Sequence, residues 1–179
     1  GGVQLPNTTY YADLDTDSFG DLNNTTLGCP SGPPSGYVTD STDCDDDSSD
    51  DTVDNVASKI FPGATYFGDA DGDLYGDALV TDTPITCGLT VGFSVDNTDC
   101  DDDASDDTID NVAALIFPGA TYYADTDADL YGDTNVTDTP VVCGLTVGFS
   151  VDNTDCDDDD SDDTIANQAA LIFPGATYY

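Results

Sequence analysis

The chain has 179 residues, with 38 aspartates, no glutamate and a single basic side chain, for a formal charge of −37. Phosphate and anionic lipid are held by Lys and Arg, so nucleic acid and an acidic membrane surface are excluded as partners. No apolar run approaches the roughly 20 residues that span a bilayer, so membrane insertion is not expected.

Self-repulsion at this charge opposes compaction, and such composition can mean disorder. Ten Tyr, seven Phe and regularly spaced Val, Ile and Leu argue against a solvated acidic tail. Neither a signal peptide nor an initiator Met is present, and Gly1 reads as a processed or trimmed start.

An internal repeat organises the chain. Tyr10, Tyr66 and Tyr122 are 56 residues apart, as are Cys44, Cys100 and Cys156. A fixed period of this kind marks an array whose units contact mainly their neighbours. The predicted layout is a strand or linker over 1–9, repeats over 10–65, 66–121 and 122–177, and the start of a next unit or an inter-subunit strand at 178–179. Residues 5–11 (LPNTTYY) imitate residues 173–179 (FPGATYY). That match fits either a tandem array or a subunit whose terminal strand completes the next copy, a head-to-tail contact that yields an open filament.

Each repeat opens on a Tyr-rich run and enters an acidic loop, Asp69-Ala70-Asp71-Gly72-Asp73-Leu74-Tyr75-Gly76-Asp77 in the second. A variable segment rich in Thr, Val and Pro follows, at 134–142 in the third. Next comes Cys143-Gly144 and then Leu145–Val151, whose β-branched alternation predicts a strand. An acidic knot follows (Asp152 to Asp159). After it, Ile109, Val112, Ala113 and Ile116 of the second repeat stand at helical spacing. Asp106 and Asp107 would lie at that short helix's N-terminus, and Phe117-Pro118-Gly119 would end it. In the first repeat Pro30, Pro33 and Pro34 disfavour a central strand, so this repeat reads as an end cap with a looser connection. The expected fold is a mostly β or irregular tandem repeat of small ion-organised, disulfide-bridged units, each with short strands and one short helix.

Alternate carboxylates repel unless a cation lies between them, and this chain has almost no cations of its own. Calcium takes six to eight oxygens, which a short loop supplies from alternate residues. Asp69, Asp71 and Asp73 suit the first, third and fifth places, the Tyr75 carbonyl the seventh and Asp77 the ninth. Gly72 and Gly76 permit tight turning, although Gly72 becomes Thr16 and Ala128 in the other repeats. The twelfth place carries no acid: Asn24 and Val80 stand there in the first two repeats. The missing ligand must come from elsewhere, and the Asp-Cys-Asp-Asp knot is the obvious donor. An all-oxygen set without His or Met favours calcium over copper, and magnesium suits fewer carboxylates.

The six cysteines read as oxidised and place the chain outside the cytoplasm, extracellular or at the cell surface. One bridge per repeat respects the period: Cys29–Cys44, Cys87–Cys100 and Cys143–Cys156, each closing a loop of roughly 15 residues and contributing on the order of 3 kcal/mol. Reduced or inter-unit cysteines are the alternative.

The pattern Tyr-Tyr-Ala-Asp-x-Asp-x-Asp-x-Tyr-Gly-Asp, then Cys, then Gly-Phe-Ser-Val-Asp-Asn-Thr-Asp-Cys-Asp-Asp, then Pro-Gly-Ala-Thr, resembles the bacterial MopE-type metal-binding repeat. More loosely it is similar to the thrombospondin type-3 calcium repeat. The resemblance covers all three repeats. It implies secreted or surface-anchored bacterial proteins whose small Asp-rich units bind calcium. It implies as ligands Asp69, Asp71, Asp73, Asp77, Asp99, Asp101 and Asp102. Their counterparts are Asp13, Asp15, Asp17, Asp21, Asp43, Asp45 and Asp46 in the first repeat, and Asp125, Asp127, Asp129, Asp133, Asp155, Asp157 and Asp158 in the third. The family passes quickly from Asp-Cys-Asp-Asp to Pro-Gly-Ala; the stretch 103–117 that carries the expected helix is an insertion here.

Asn7, Asn23, Asn24 and Asn135 stand in N-glycosylation triplets that do not follow the repeat. Thr52, Thr108 and Thr164 do follow it, in Asp-Thr-aliphatic triplets that resemble an O-glycosylation acceptor of some Gram-negative bacteria; a helix-capping role is the plain alternative. The functional expectation is a calcium-rigidified extracellular repeat of a filament or stalk, assembling with copies of itself. The alternative is a calcium- or glycan-binding adhesion module of a larger secreted protein, with Tyr10, Tyr11, Tyr66, Phe67, Tyr122 and Tyr123 as a sugar-contacting patch or as packing between units. No Asp pair stands apart as a hydrolase pair would, so no enzyme is expected.

Overall fold

The computed structural model describes residues 7–159 and 168–177. It holds three small antiparallel sheets of three strands, one per repeat. The strands are β1 (Thr8–Ala12), β2 (Asp21–Gly28), β3 (Tyr37–Val38), β4 (Tyr66–Gly68), β5 (Asp77–Asp82), β6 (Phe93–Ser94), β7 (Tyr122–Ala124), β8 (Asp133–Asp138) and β9 (Phe149–Ser150). The Tyr-rich strand is central in each sheet, in the orders β2-β1-β3, β5-β4-β6 and β8-β7-β9. Its alternate residues face inward, as the two-residue pleat dictates, so Tyr10, Tyr66 and Tyr122 are buried. That burial assigns these tyrosines to packing and removes them from any sugar-contacting surface.

The chain divides into two compact units, one of residues 1–69 with 74–97, the other of 70–73 with 98–179. The first contains β1 to β6. Its apolar cluster sets Ile60 and Ala64, from the end of the first repeat, against Tyr66 and Val95 of the second, with Cys44, Leu89 and Phe93 packed on it. The Val95 N–H donates to the Asp54 carbonyl at 3.1 Å, and the Gly63 N–H to the Pro84 carbonyl at 2.8 Å. The second unit repeats this junction with Ile116, Ala120, Tyr122 and Val151, joined by Cys100, Leu145 and Phe149.

The disulfides follow the same logic and correct the expected pairing. Cys44 bonds Cys87 and Cys100 bonds Cys143, each across 43 residues, while Cys29 and Cys156 are exposed and free. The bridges therefore join the knot of one repeat to the next repeat, and none of the three expected within-repeat bonds forms. The reason is placement: Cys87 Sγ lies 3.5 Å from the Thr42 carbonyl and Cys143 Sγ 3.5 Å from that of Thr98, so each meets the preceding knot.

Two further expectations are corrected. The helix over 109–116 shrinks to a three-residue 3-10 turn, Ala113–Leu115, with equivalents at Ala57–Lys59 and Ala169–Leu171. Val112 is extended (φ −115°, ψ 116°), the Asp107 carboxylate accepts the Ala113 N–H six residues on at 2.9 Å, and Pro118 disfavours helical backbone just before it. The Leu145–Val151 strand contracts to Phe149–Ser150 because the chain turns before it, the Phe149 N–H donating to the Thr146 carbonyl at 3.0 Å. The variable segment instead supplies the edge strands β5 and β8. In the first repeat the central strand is β1, and the longest strand, β2, ends before Pro30.

Candidate metal centre

The acidic loop is a hairpin connection that leaves the central strand and returns as the edge strand, with the register jumping from Tyr11↔Thr25 to Ala12↔Asp21. Inside it the aspartates fold on themselves in Asx turns. Asp15 Oδ1 accepts the Asp17 N–H at 3.1 Å and Asp17 Oδ1 the Phe19 N–H at 2.8 Å. In the third repeat Asp127 Oδ1 accepts the Asp129 N–H at 3.1 Å and Asp129 Oδ1 the Tyr131 N–H at 2.9 Å. The knot does the same: Asp43, Asp99 and Asp155 each take the N–H two residues on at 3.0 Å.

These turns need unusual backbone. Leu74 and Leu130 stand at φ 81°, in the left-handed region that costs a side chain roughly 1–2 kcal/mol. A buried serine holds each in place. Ser94 Oγ donates to the Leu74 carbonyl and Ser150 Oγ to that of Leu130, both at 2.8 Å, while each accepts an N–H, from Asp96 and Asp152. The first repeat has Val38 at this register position instead.

Loop and knot are joined directly. A carboxylate oxygen of Asp46 accepts the backbone N–H groups of Leu14 and Asp15, and Asp158 does the same for Thr126 and Asp127. In the second repeat Asp102 accepts from Ala70 and Asp71. The Asp43 N–H donates to the Gly20 carbonyl and the Asp155 N–H to that of Gly132, each at 3.3 Å. The glycine is required by close approach: a Cβ on Gly132 would lie 2.8 Å from the carbonyl oxygens of both Asp152 and Tyr123. Gly76 is in the same position against Asp96 and Phe67. Hydrogen bonds, not a disulfide, therefore tie loop to knot.

Acidic triads result, with one oxygen of each residue within 4.8 Å of the others: Asp13, Asp15 and Asp17; Asp15, Asp43 and Asp46; Asp71, Asp99 and Asp102; and Asp125, Asp127 and Asp129. Each contact repels by about 3.5 kcal/mol at an effective dielectric near 20, an upper figure for partly solvated acids. Both oxygens of Asp125 accept backbone N–H groups, but in eight other carboxylates the two oxygens divide the work. One is committed to backbone N–H groups, while Oδ2 of Asp15, Asp17, Asp43, Asp46, Asp99, Asp127, Asp129 and Asp155 is buried without a hydrogen-bond partner. A buried oxygen anion without a donor is costly, and a metal ion is the partner that satisfies several at once. The donor set fits a hard cation.

The protonation equilibria report the same field. Burial first, and then the neighbouring carboxylates, push Asp17 up to about 6 and Asp127 up to about 7. Asp15, Asp43, Asp99 and Asp129 are raised for the same reasons, against the lowering effect of their backbone hydrogen bonds.

The other sequence-predicted residues also make hydrogen bonds within the loop and the knot. Asp21, Asp77 and Asp133 open the edge strands, where each accepts an N–H two residues on at 2.8 Å. Asp45 and Asp101 cap the N–H groups of Asp47 and Asp103, and Asp157 that of Asp159. Asp69 directly follows β4, its N–H donating to the Gly92 carbonyl at 2.9 Å. Of the glycosylation candidates, Asn7, Asn23, Asn24 and Asn135 are exposed, and so are Thr52 and Thr108. The hydroxyls of those two threonines donate to Asp54 and Asp110 at 2.7 Å, and Thr164 lies outside the described residues. The buried serines are supports that the carboxylate pattern alone did not single out; the recurrence of Gly-Phe-Ser was their signal, whereas the loop glycine Gly76 was already expected to permit tight turning. Among the described residues no helix is long and apolar enough to cross a membrane. Comparison with protein-family models, curated proteins and solved structures gave no match.

Proposed function

We propose that the chain is an extracellular, calcium-binding structural repeat protein that forms or rigidifies a surface filament or stalk, without enzymatic activity. The observation that carries this reading is the set of buried, donorless Oδ2 atoms where loop and knot meet. Calcium is the ion of choice because every available donor is an oxygen and His and Met are absent. Two inter-repeat disulfides suit an oxidising compartment. The resemblance of the repeat to the MopE-type family points the same way. Head-to-tail assembly with copies of itself follows from a unit that buries its apolar face only against its neighbour. Glycans on Thr52, Thr108 or the exposed asparagines would decorate the outside.

The test is thermal unfolding of the purified chain in calcium, in magnesium and in chelator, with negative-stain images of each sample. A large stabilisation specific to calcium, with filaments lost on chelation, supports the reading. Equal unfolding in all three conditions overturns it.

A further inference from the structure

The chain makes the same inter-repeat junction twice and leaves one half of it open at each end of the described structure. In the closed junctions Cys44 and Cys100 are bonded to the next repeat, and Ile60 and Ile116 are 4% and 3% exposed. In the third repeat the equivalents Ile172 and Ala176 are only half-buried, and Cys156 is an exposed free thiol. An open cavity of about 480 Å³ lies beside it, lined by Asp133, Asn135, Val136, Asp155, Cys156 and Asp158. The first repeat shows the opposite half. Cys29 is an exposed free thiol, and Thr39, at the register position of the buried Val95 and Val151, is exposed. The Tyr10 hydroxyl donates to the Cys29 carbonyl at 2.7 Å, which fixes the backbone that carries the thiol.

We infer that Cys156 of one copy and Cys29 of a second copy form an intermolecular disulfide, repeating between chains the junction made twice within the chain. This rests on the proposed head-to-tail assembly and gives it a covalent link. The contact is heterologous, so it propagates instead of closing. The bond forms by thiol–disulfide exchange with a small-molecule disulfide oxidant. One thiolate attacks the oxidant and releases one reduced thiol, and the second thiolate then displaces the other. The two cysteines together lose two protons and two electrons, and the oxidant leaves as two thiols.

The experiment oxidises the full chain, its two internal bridges intact, with glutathione disulfide in the presence of calcium. Non-reducing electrophoresis and mass spectrometry of the linked peptides read the result. The expected result is a ladder in steps of 18.6 kDa that collapses with reductant and contains the Cys156–Cys29 peptide. Cys29→Ser and Cys156→Ser chains, each unable to extend alone, give one dimer step when mixed and no higher species. Both positions are exposed, so neither change disturbs the core. A monomer with two alkylatable thiols, a bond between Cys29 and Cys156 of one chain, or symmetric Cys29–Cys29 or Cys156–Cys156 dimers alone would each overturn the inference. Calcium-dependent unfolding of the doubly substituted chain separates the two claims: stabilisation there with no ladder in the unsubstituted protein rejects the junction and keeps the calcium reading.

Discussion

The acidic centre and the junction between repeats are held together by opposite means. In the centre, carboxylates crowd within 4.8 Å of one another, and in Asp15, Asp17, Asp43, Asp46, Asp99, Asp127 and Asp129 backbone N–H groups satisfy one oxygen while the other is buried without a partner. At the junction, Ile60, Ala64, Tyr66 and Val95 form a buried cluster against which Cys44 packs, and the bridge from Cys44 ends on the exposed Cys87. The centre thus opposes folding until a cation neutralises it, whereas the junction favours folding. The small apolar clusters cannot compress like charges, so the chain confines repulsion to one place and supplies that place with oxygens for a cation. This difference predicts that ion removal and bond removal break the protein separately.

The largest effect is expected from ion removal. Repulsion among three carboxylates, roughly 10 kcal/mol before screening, is comparable to the whole stability of a small domain. Chelator should therefore abolish the cooperative unfolding transition at neutral pH and low salt while both bridges stay oxidised, as circular dichroism and thiol counting would show. Next, Cys44→Ser opens a closure across 43 residues. The chain-entropy model gives a loss of about 4 kcal/mol, read by denaturant titration in saturating calcium, with ion binding retained. Gly132→Ala should cost about 3 kcal/mol, the upper end for overpacking, because its Cβ meets two carbonyl oxygens and not a movable side chain. It should weaken ion binding in the third repeat as well, since Gly132 joins loop to knot.

Ser150→Ala removes the hydroxyl that serves the Leu130 carbonyl and the Asp152 N–H, and about 2 kcal/mol is expected. The smallest effect is one of pH. Asp17 and Asp127 in the folded chain titrate near 6 and 7 against an ordinary 3.8. Between those values the folded, metal-free chain binds more protons than the unfolded chain, so its stability falls as pH rises. Acidifying the chelated protein from neutral towards pH 5 should bring back an unfolding transition whose melting temperature rises as the pH falls, whereas in calcium, where protons compete with the ion, the same change should lower the melting temperature. A chelated protein that melts earlier at the lower pH would break this part of the comparison.

The meeting of loop and knot was legible in the sequence and the junction was not. Alternate aspartates in Asp13–Asp21 and the missing acid at the twelfth loop position already required the knot, and the knot is where the remaining carboxylates come from. The bridges were misassigned because a 56-residue period admits both partners of Cys87: Cys100 lies 13 residues ahead and Cys44 lies 43 behind, and either choice repeats. A signal was present. Cys29 to Cys44 spans 15 residues where the other within-repeat pairs span 13, whereas Cys44 to Cys87 and Cys100 to Cys143 both span 43. The helix failed for a local reason: Asp107 and Thr108 are engaged in turns of their own and Val112 is extended, so hydrophobic spacing had no helical backbone to act on. Strands β5 and β8 were obscured because their residues are mostly exposed and show no alternation of burial.

The most direct test of the account is equilibrium dialysis of the chain against calcium in excess sodium and magnesium, with Asp15→Asn beside the unsubstituted protein. Asp15 belongs to two triads of the first repeat. The account predicts saturable binding of at least one calcium ion per repeat, with the first repeat's share lost in Asp15→Asn. Calcium uptake that is unsaturable, abolished by salt and unchanged by the substitution would mean the acids act only as a diffuse counterion atmosphere, and would contradict it.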